Sequence, residues 1–333
     1  LHKEYRRQRQ MCIRDRISSP VGPAAGPHSQ LAQNIIASYL TGSRYIELKT
    51  VQIMDGEEIM AAIPKPCILS EDEAYNCEWS TELTVKQALE EYVKSHIAIQ
   101  VLAKEFGLAD KKDFTLNMSA GYNLEGIKDK KIDDFLEGLK DASNLDVYKD
   151  SINYLKENIG LFKNVTLEDI EKIEPMVCNS ITLSTMHGCP ADEIESIAKY
   201  LLEEKHLHTY VKCNPTLVGY DYARNIMDEL GFSYVNFSDH HFKNDLQFED
   251  AITMLNGLLE TGKNAGLTFG VKLSNTMPVL QKKNELPSEE MYMSGRSLLP
   301  LTITVAKKLV DEFGDRLPMS YCGGADAENV YEL

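Results

Sequence analysis

Short runs of apolar residues alternate along this chain with longer stretches in which apolar positions recur at α-helical spacing. The first clear run is 45–51, and a helix is predicted after it over about 84–107. Further helices are predicted near 147–158, 191–204, 220–230, 247–261 and 297–313. The seven predicted strands cover 45–51, 115–119, 181–184, 208–213, 234–238, 267–273 and 317–321. Alternation of strand and helix indicates parallel strands joined by right-handed crossovers.

This alternation fits either an open doubly wound sheet or a closed (β/α)8 TIM barrel. The last predicted strand is the seventh, and the chain ends at Leu333 inside the helix that would follow it. We therefore expect an α/β fold, a TIM barrel truncated before its last strand. The stretches 52–83 and 274–296 are predicted as loops, and loops of that length often carry function.

Composition narrows the class of protein. Hydrophobic residues make up 43% of the chain and charged residues 26%, as in an ordinary globular enzyme. The apolar runs are too short for a membrane span and no secretory signal is visible, so we expect a soluble, cytoplasmic protein without a membrane partner. The net charge of −16 argues against nucleic-acid binding, which needs a cationic face.

The first 16 residues depart from this acidic character. They hold six Lys or Arg residues and two acidic ones, and 10–16 looks like translated adapter sequence more than a basic binding arm. We expect 1–16 to be a non-native leader and 17–333 to form the incomplete barrel. The seven cysteines are scattered without a CxxC pair, which argues against disulfides and against an iron–sulfur cluster in this segment.

Polar residues and glycines follow the predicted strands. These strand ends are Lys49-Thr50, Ser119-Ala120-Gly121, His187-Gly188-Cys189, Lys212-Cys213-Asn214-Pro215, Asp239-His240-His241, Lys272-Leu273-Ser274-Asn275-Thr276 and Gly323-Gly324. The carboxyl ends of parallel strands are where barrels place their chemistry. Any one of these clusters is as readily a solvated turn, but the whole set predicts one site.

The residue types at these ends suit a flavin. An isoalloxazine ring needs a cation to stabilise its anionic reduced form, which Lys49 or Lys212 would supply, and amide partners, which Asn214 or Asn275 would supply. A Gly323-Gly324 turn would let backbone N–H groups approach a phosphate.

Several segments together resemble the FMN-dependent dihydroorotate and dihydropyrimidine dehydrogenase family. They are Gly22-Pro23-Ala24-Ala25-Gly26-Pro27, Glu47-Leu48-Lys49-Thr50-Val51, Lys212-Cys213-Asn214-Pro215, Ser294-Gly295-Arg296 and Gly323-Gly324-Ala325-Asp326. The resemblance extends over about 20–333 and is closest to the selenate reductase subunit family of iron–sulfur flavoproteins.

The resemblance implies an oxidoreductase that binds FMN and acts on a small heterocyclic substrate. It implies cofactor contacts from Gly22, Ala24, Ala25, Gly26, Lys49, Thr50, Lys212, Asn214, Asn275, Gly295, Gly323 and Gly324. In that family a module for FAD and NADPH follows the barrel, so FAD, NAD(P)H and iron–sulfur clusters are expected only outside this chain. Redox subunits of the molybdenum-hydroxylase type are expected partners.

One strand end departs from the family pattern. The dehydrogenases carry Asn-x-Ser-Cys-Pro there, whereas this chain has Thr182 in place of the Asn and Cys189-Pro190 further along. Cys189 is the candidate proton donor, since a helix N-terminus would lower its pKa. His187 is either a second proton donor or a packed loop residue, and Lys49 completes the candidate catalytic set.

Three alternatives stay open. Asp239-His240-His241 could bind a metal, although adjacent histidines diverge, so we expect no metal site. Lys49, Lys212 or Lys272 could form a Schiff base, as in a barrel lyase. The barrel could also be flavin-free and serve as a scaffold or electron-transfer partner in a larger oxidoreductase complex.

Overall fold

The computed structural model describes most of the chain. The described residues are 17–54, 56, 58, 68–70, 73–76, 83–109, 112–185, 187–281, 286, 289–326 and 328–333. The predicted leader 1–16 therefore lies outside the described residues, as does most of 52–83.

The described residues form ten strands and eleven α-helices. The strands are β1 (Tyr45–Glu47), β2 (Ile68–Ser70), β3 (Glu73–Asn76), β4 (Thr115–Gly121), β5 (Ser180–Ser184), β6 (His208–Cys213), β7 (Phe269–Leu273), β8 (Met277–Leu280), β9 (Glu290–Gly295) and β10 (Met319–Tyr321). The helices are α1 (Ala32–Leu40), α2 (Val85–Glu105), α3 (Leu124–Ile127), α4 (Lys130–Lys140), α5 (Asp146–Glu157), α6 (Leu167–Glu171), α7 (Ala191–Lys199), α8 (Tyr220–Glu229), α9 (His240–Asn244), α10 (Phe248–Ala265) and α11 (Leu299–Phe313). Among these described helices, none has the length and apolar character needed to cross a membrane.

The chain divides into two compact units. The first contains the described residues up to 56 together with Leu83–Ala120 and Gly126–Ile181. The second contains Gly121–Glu125, Thr182–Leu333 and the described residues between 57 and 82.

The first unit is built on the parallel pair β1 and β4, in which Tyr45 lies opposite Thr115. Helix α2 begins at a reciprocal cap: the Thr84 hydroxyl accepts the Gln87 N–H at 3.2 Å, and the Gln87 side chain accepts the Thr84 N–H at 2.9 Å. The core of this unit is aromatic. Tyr92 of α2 is fully buried and meets the ring of Phe135 edge-on.

In the second unit β7 lies between β6 and β10, and all three strands run parallel. Lys212 of β6 lies opposite Lys272 of β7, which lies opposite Ser320 of β10. Because side chains in register on paired strands share a face of the sheet, these three residues point to the same side. The neighbouring positions Val211 and Val271 are buried on the other side.

The two stretches predicted as long loops supply a second, antiparallel sheet within this unit. Its strand order is β2-β3-β9-β8, so segments more than 200 positions apart pair directly. Glu73 lies opposite Gly295, and Met277 lies opposite Met293. The prediction that these stretches are loops is therefore wrong for the described parts that form β2, β3, β8 and β9.

Six of the seven predicted strands are found, and the prediction of a strand over 234–238 is wrong. Since β6 pairs directly with β7 through five consecutive residue pairs, no position is left between them. Phe237 instead packs its ring against Tyr220 and Phe242, with ring centroids 5.8 and 5.7 Å away. The apolar alternation that predicted a strand reflects packing in this aromatic cluster.

Candidate active site

Residues that follow strands β5 and β6 of the second unit meet around the carboxylate of Asp245, which is 4% exposed. Its Oδ1 accepts the backbone N–H of Gly188 at 2.7 Å. Its Oδ2 lies 2.8 Å from Nδ1 of His187, 3.0 Å from Nδ2 of Asn214 and 2.7 Å from the hydroxyl of Thr216. Burial opposes ionisation, but these donors and the charge of His187 together hold the pKa of Asp245 below its usual range.

The partners of Asp245 come from two connections, the one after β5 and the one after β6. His187 lies in the turn after β5, where Gly188 has a φ of +83°, a conformation that suits glycine. Asn214 directly follows β6, and Thr216 lies in a 3-10 turn over Pro215–Val218. Asp245 closes α9, with its own N–H bonded to the carbonyl of His241 at 2.8 Å.

The ring of His187 is enclosed by aromatic neighbours. Its side chain is 7% exposed, and the ring centroids of His241 and Tyr292 lie 5.2 and 5.9 Å from its own. Nε2 of His187 is buried and has no hydrogen-bond partner in the described part of the chain. His241 in turn places its Nε2 3.1 Å from both carboxylate oxygens of Glu290.

The two predicted asparagines are joined to each other. The side-chain amide of Asn275 donates to Oδ1 of Asn214 at 3.0 Å, and the Asn275 backbone N–H donates to the carbonyl of Cys213 at 2.7 Å. Asn214 is therefore oriented, because its oxygen faces Asn275 while its nitrogen faces Asp245.

Lys212 and Lys272 form a cationic row beside this network. Lys272 is 3% exposed and Lys212 is half-buried. Burial lowers the pKa of both lysines, whereas Cys322 acts in the opposite direction. The row is tied to the predicted phosphate turn because the N–H groups of Cys322 and Gly323 both donate to the carbonyl of Leu273.

The Gly323-Gly324 turn lies against the start of α11. A Cβ atom at Gly323 would come within 2.1 Å of the Thr302 hydroxyl, and one at Gly324 would come within 2.8 Å of the backbone nitrogen of Leu299. The hydroxyl of Ser297, just before α11, is buried and lacks a hydrogen-bond partner among the described residues. Gly295 ends β9 two positions earlier.

The remaining predicted cofactor residues belong to the first unit. The segment holding Gly22, Ala24, Ala25 and Gly26 runs beside β1, since the carbonyl of Pro23 accepts the Glu47 N–H at 3.1 Å. Two further contacts fix the end of this strand. The Tyr92 hydroxyl donates to the carbonyl of Lys49 at 3.0 Å, and the hydroxyls of Thr50 and Ser119 lie 2.7 Å apart.

The structure corrects the expectation for Cys189. Burial, together with the carboxylates of Glu193 and Asp192 in the first turn of α7, raises the pKa of its thiol to about 12. These effects outweigh the helix N-terminus that was expected to lower it.

The rings of the adjacent histidines meet edge to face, with centroids 5.3 Å apart and planes at 82°. Asp239 pairs with Lys243, and His240 contacts Asn244. Sequence reasoning missed that His241 approaches His187 and Asp245 instead, where candidate ligand atoms of the three lie within 4.8 Å of one another. It also missed Asp245, which follows a helix and lies in no strand-end motif.

A parallel α/β architecture with polar residues at its strand ends is typical of α/β enzyme domains, TIM barrels among them. Residues 1–333 match the family model described as "Oxidoreductase YgfK, N-terminal TIM-barrel domain", and the chain belongs to this family. The expected TIM-barrel fold and oxidoreductase class are thereby confirmed.

Two curated relatives and two solved structures are similar to the chain. The relatives, each named "Putative oxidoreductase YgfK", come from Escherichia coli K12 and O157:H7. Each is 46% identical to this chain over 328 residues. The aligned region covers 95% of this chain and 31% of the relative. The chain thus spans about a third of their length. The structures are DHODH from Eimeria tenella, ligand-free and with ferulenol. They are 13% and 15% identical, cover 94% and 92% of this chain and 75% and 70% of their own chains, and both have a TM-score of 0.48.

Proposed function

We propose that this domain binds FMN and transfers a hydride between the flavin and a small heterocyclic substrate. The observation that carries the proposal is the register of Lys212 with Lys272, directly beside the Gly323-Gly324 turn. Two half-buried or buried amines on one face of a sheet favour an anionic group next to them.

The second unit has features that fit the phosphate of FMN. A Cβ atom at Gly323 or Gly324 would collide with Thr302 or Leu299, so the two glycines let this turn pack closely against the start of α11. They lie at the N-terminus of α11, a helix of 15 residues, where an anion is stabilised by the helix dipole and by free N–H groups. The buried Ser297 hydroxyl would gain its missing partner from a phosphate oxygen.

The lysine row and the asparagine pair would contact the ring of the flavin. Lys212 and Lys272 would stabilise the anionic reduced ring, and the amides of Asn214 and Asn275 would hydrogen-bond its carbonyls or the substrate. A bound flavin supplies hydride chemistry, which the side chains of the protein do not possess. The cofactor contacts expected from the sequence for Gly22, Ala24, Ala25, Gly26, Lys49, Thr50 and Gly295 stay predictions.

The activity of the longer protein is also a proposal. A module for FAD and NAD(P)H, iron–sulfur clusters and redox subunits of the molybdenum-hydroxylase type would deliver electrons to or from this barrel. Selenate reduction and a cytoplasmic location, both implied earlier, stay predictions. An assay with selenate and a reduced viologen tests the first, and cell fractionation tests the second.

The decisive experiment measures flavin in the purified full-length protein and in this domain. We expect a flavin spectrum and about one FMN released per domain from the wild type. Lys212→Met and Lys272→Met should lower the affinity for FMN, while Lys308→Met, outside the proposed site, should not. A folded, colourless protein that ignores added FMN would reject the proposal and favour the scaffold alternative.

The lowered pKa values of Lys212 and Lys272 also favour a second candidate, a Schiff-base lyase, because a deprotonated amine is the nucleophile that this reaction needs. Borohydride trapping with a panel of small aldehydes and ketones tests it. A covalent adduct on either lysine in a flavin-free protein would establish the lyase and exclude the flavin proposal.

A further inference from the structure

We propose that His187 carries the proton in the reaction of this domain and that Asp245 is the positioning residue that fixes its tautomer. The inference rests on the proposed function, since it assigns the proton that must accompany the hydride. It also replaces Cys189, the residue that the sequence had favoured for this role.

The hydrogen bonds of Asp245 determine the protonation of the imidazole. Both carboxylate oxygens are already engaged by uncharged donors, the N–H of Gly188 on Oδ1 and the groups of Asn214 and Thr216 on Oδ2. Four donors, counting His187, stabilise the ionised carboxylate, which can only accept hydrogen bonds. Nδ1 of His187, 2.8 Å from Oδ2, must therefore carry the hydrogen.

With Nδ1 committed, Nε2 is the atom that can gain or lose a proton. Nε2 is buried and has no hydrogen-bond partner in the part of the chain that the structure describes. A buried polar atom without a hydrogen-bond partner is unfavourable, so a ligand that bonds to Nε2 would complete the site. The same division of roles between a carboxylate and the two imidazole nitrogens occurs in hydrolytic triads.

Titratable groups surround the ring. Among the described residues, those that face His187 are Asp245 on one edge and His241 and Tyr292 on the others, with Glu290 behind His241. Glu290 can accept a hydrogen bond from Nε2 of His241, so His241 packs beside His187 with its own polar atom satisfied.

The step balances in atoms and electrons. A ring double bond of the substrate receives a hydride from the reduced flavin at one carbon and the Nε2 proton of His187 at the adjacent carbon. The substrate gains two electrons, the flavin loses two, and the imidazolium becomes neutral imidazole while Asp245 remains a carboxylate. In the oxidative direction Nε2 takes the proton back.

Two rival assignments are weaker. The Cys189 thiol, whose pKa is raised to about 12, is a poor proton donor at neutral pH and its thiolate is scarce. His187, His241 and Asp245 are also close enough to surround a cation. However, a cation bound by Asp245 would have to displace donors that already satisfy both of its oxygens.

The first test needs no substrate. In the FMN-loaded protein labelled with ¹⁵N-histidine, we expect the His187 resonances, identified by their loss in His187→Gln, to show the Nδ1–H tautomer in the neutral form. In Asp245→Asn the tautomers should mix, because the carboxylate that fixes the Nδ1–H form is gone. A wild-type Nε2–H tautomer, or an Asp245→Asn spectrum identical to wild type, would overturn the assignment.

The second test follows the reaction. The flavin is reduced with dithionite and mixed with a panel of pyrimidines and purines, and its reoxidation is recorded in a single turnover. His187→Gln should keep FMN content and dithionite reduction but slow reoxidation by the active compound at least about 100-fold. Asp245→Asn should slow it less, whereas the matched control His240→Gln should behave as wild type.

The outcomes separate this inference from the proposed function. A wild type without flavin rejects the proposed function, while the tautomer measurement still tests the His187 and Asp245 pair. Normal reoxidation in a folded His187→Gln variant rejects the inference and leaves the flavin function standing. Stoichiometric zinc binding that is lost in His187→Gln and His241→Gln would replace the proton role with a metal site.

Discussion

Adding one methyl group at Gly323 directly tests whether the Gly323-Gly324 turn must pack closely against α11 to bind a phosphate. In Gly323→Ala the new Cβ would lie 2.1 Å from the Thr302 hydroxyl and 2.9 Å from the Ser274 hydroxyl, which are bonded to each other at 2.9 Å. Both hydroxyls are buried, so neither can move into solvent. We expect overpacking to reduce the free energy of unfolding by about 1–3 kcal/mol and to weaken FMN binding.

Gly257→Ala is the matched control. Gly257 lies inside α10, and a Cβ there would meet only the flexible end of Glu195, at 3.3 Å. Removing a helical glycine should raise stability by about 0.5–1 kcal/mol. Urea titrations of both variants and of wild type, with and without FMN, make the comparison. If Gly323→Ala proves as stable as wild type and keeps its full affinity for FMN, the proposed role of the Gly323-Gly324 turn in packing and phosphate binding is refuted.

Three further outcomes are expected. Lys49→Met should leave the fold intact and weaken flavin binding or reduction, seen in the flavin spectrum; identical spectra and turnover would exclude a role for Lys49. Cys189→Ala should keep at least about half of the activity because the pKa of this thiol, raised to about 12, leaves little thiolate near neutral pH, and loss of activity in a folded variant would restore Cys189 as a candidate. His96 is buried, and burial is the main reason that its pKa is lowered from 6.5 to about 3. The imidazole is therefore neutral in the folded protein. Its contribution to the free energy of unfolding is complete above pH 6.5 and is lost as the pH falls toward 3. His96→Gln should flatten the pH dependence of unfolding in that window, and an unchanged slope would contradict this reasoning.

The sequence predicts the repeating α/β pattern well because apolar periodicity records which face of each element is buried. Six strands and the polar strand ends follow from it, whereas the direct pairing of Lys212 with Lys272 does not, because the predicted strand 234–238 separated their strands. Phe237 was misassigned because an aromatic cluster and a strand both require alternating burial. Asp245 was missed for a different reason: its role comes from four donors that meet only in three dimensions.

The Cys189 error has a physical lesson of its own. A helix N-terminus favours a thiolate, but its effect is small beside burial and two nearby carboxylates. The sequence displays Asp192 and Glu193, yet gives no measure of how deeply the sulfur is covered. Solvent exposure is the quantity that local motifs cannot supply.

The antiparallel sheet has a consequence for the order in which the protein folds. Strands β8 and β9 are close in sequence, whereas Ser294 of β9 contacts Ala74 of β3 across 220 positions. Closing the longer loop costs roughly 2–3 kcal/mol more chain entropy than closing a hairpin of a dozen residues. The β8–β9 hairpin can therefore form early, while β3 waits for the intervening chain to become compact. During synthesis and refolding β9 would then expose an unpaired edge, and this is the strand at which chaperones or aggregation would act first.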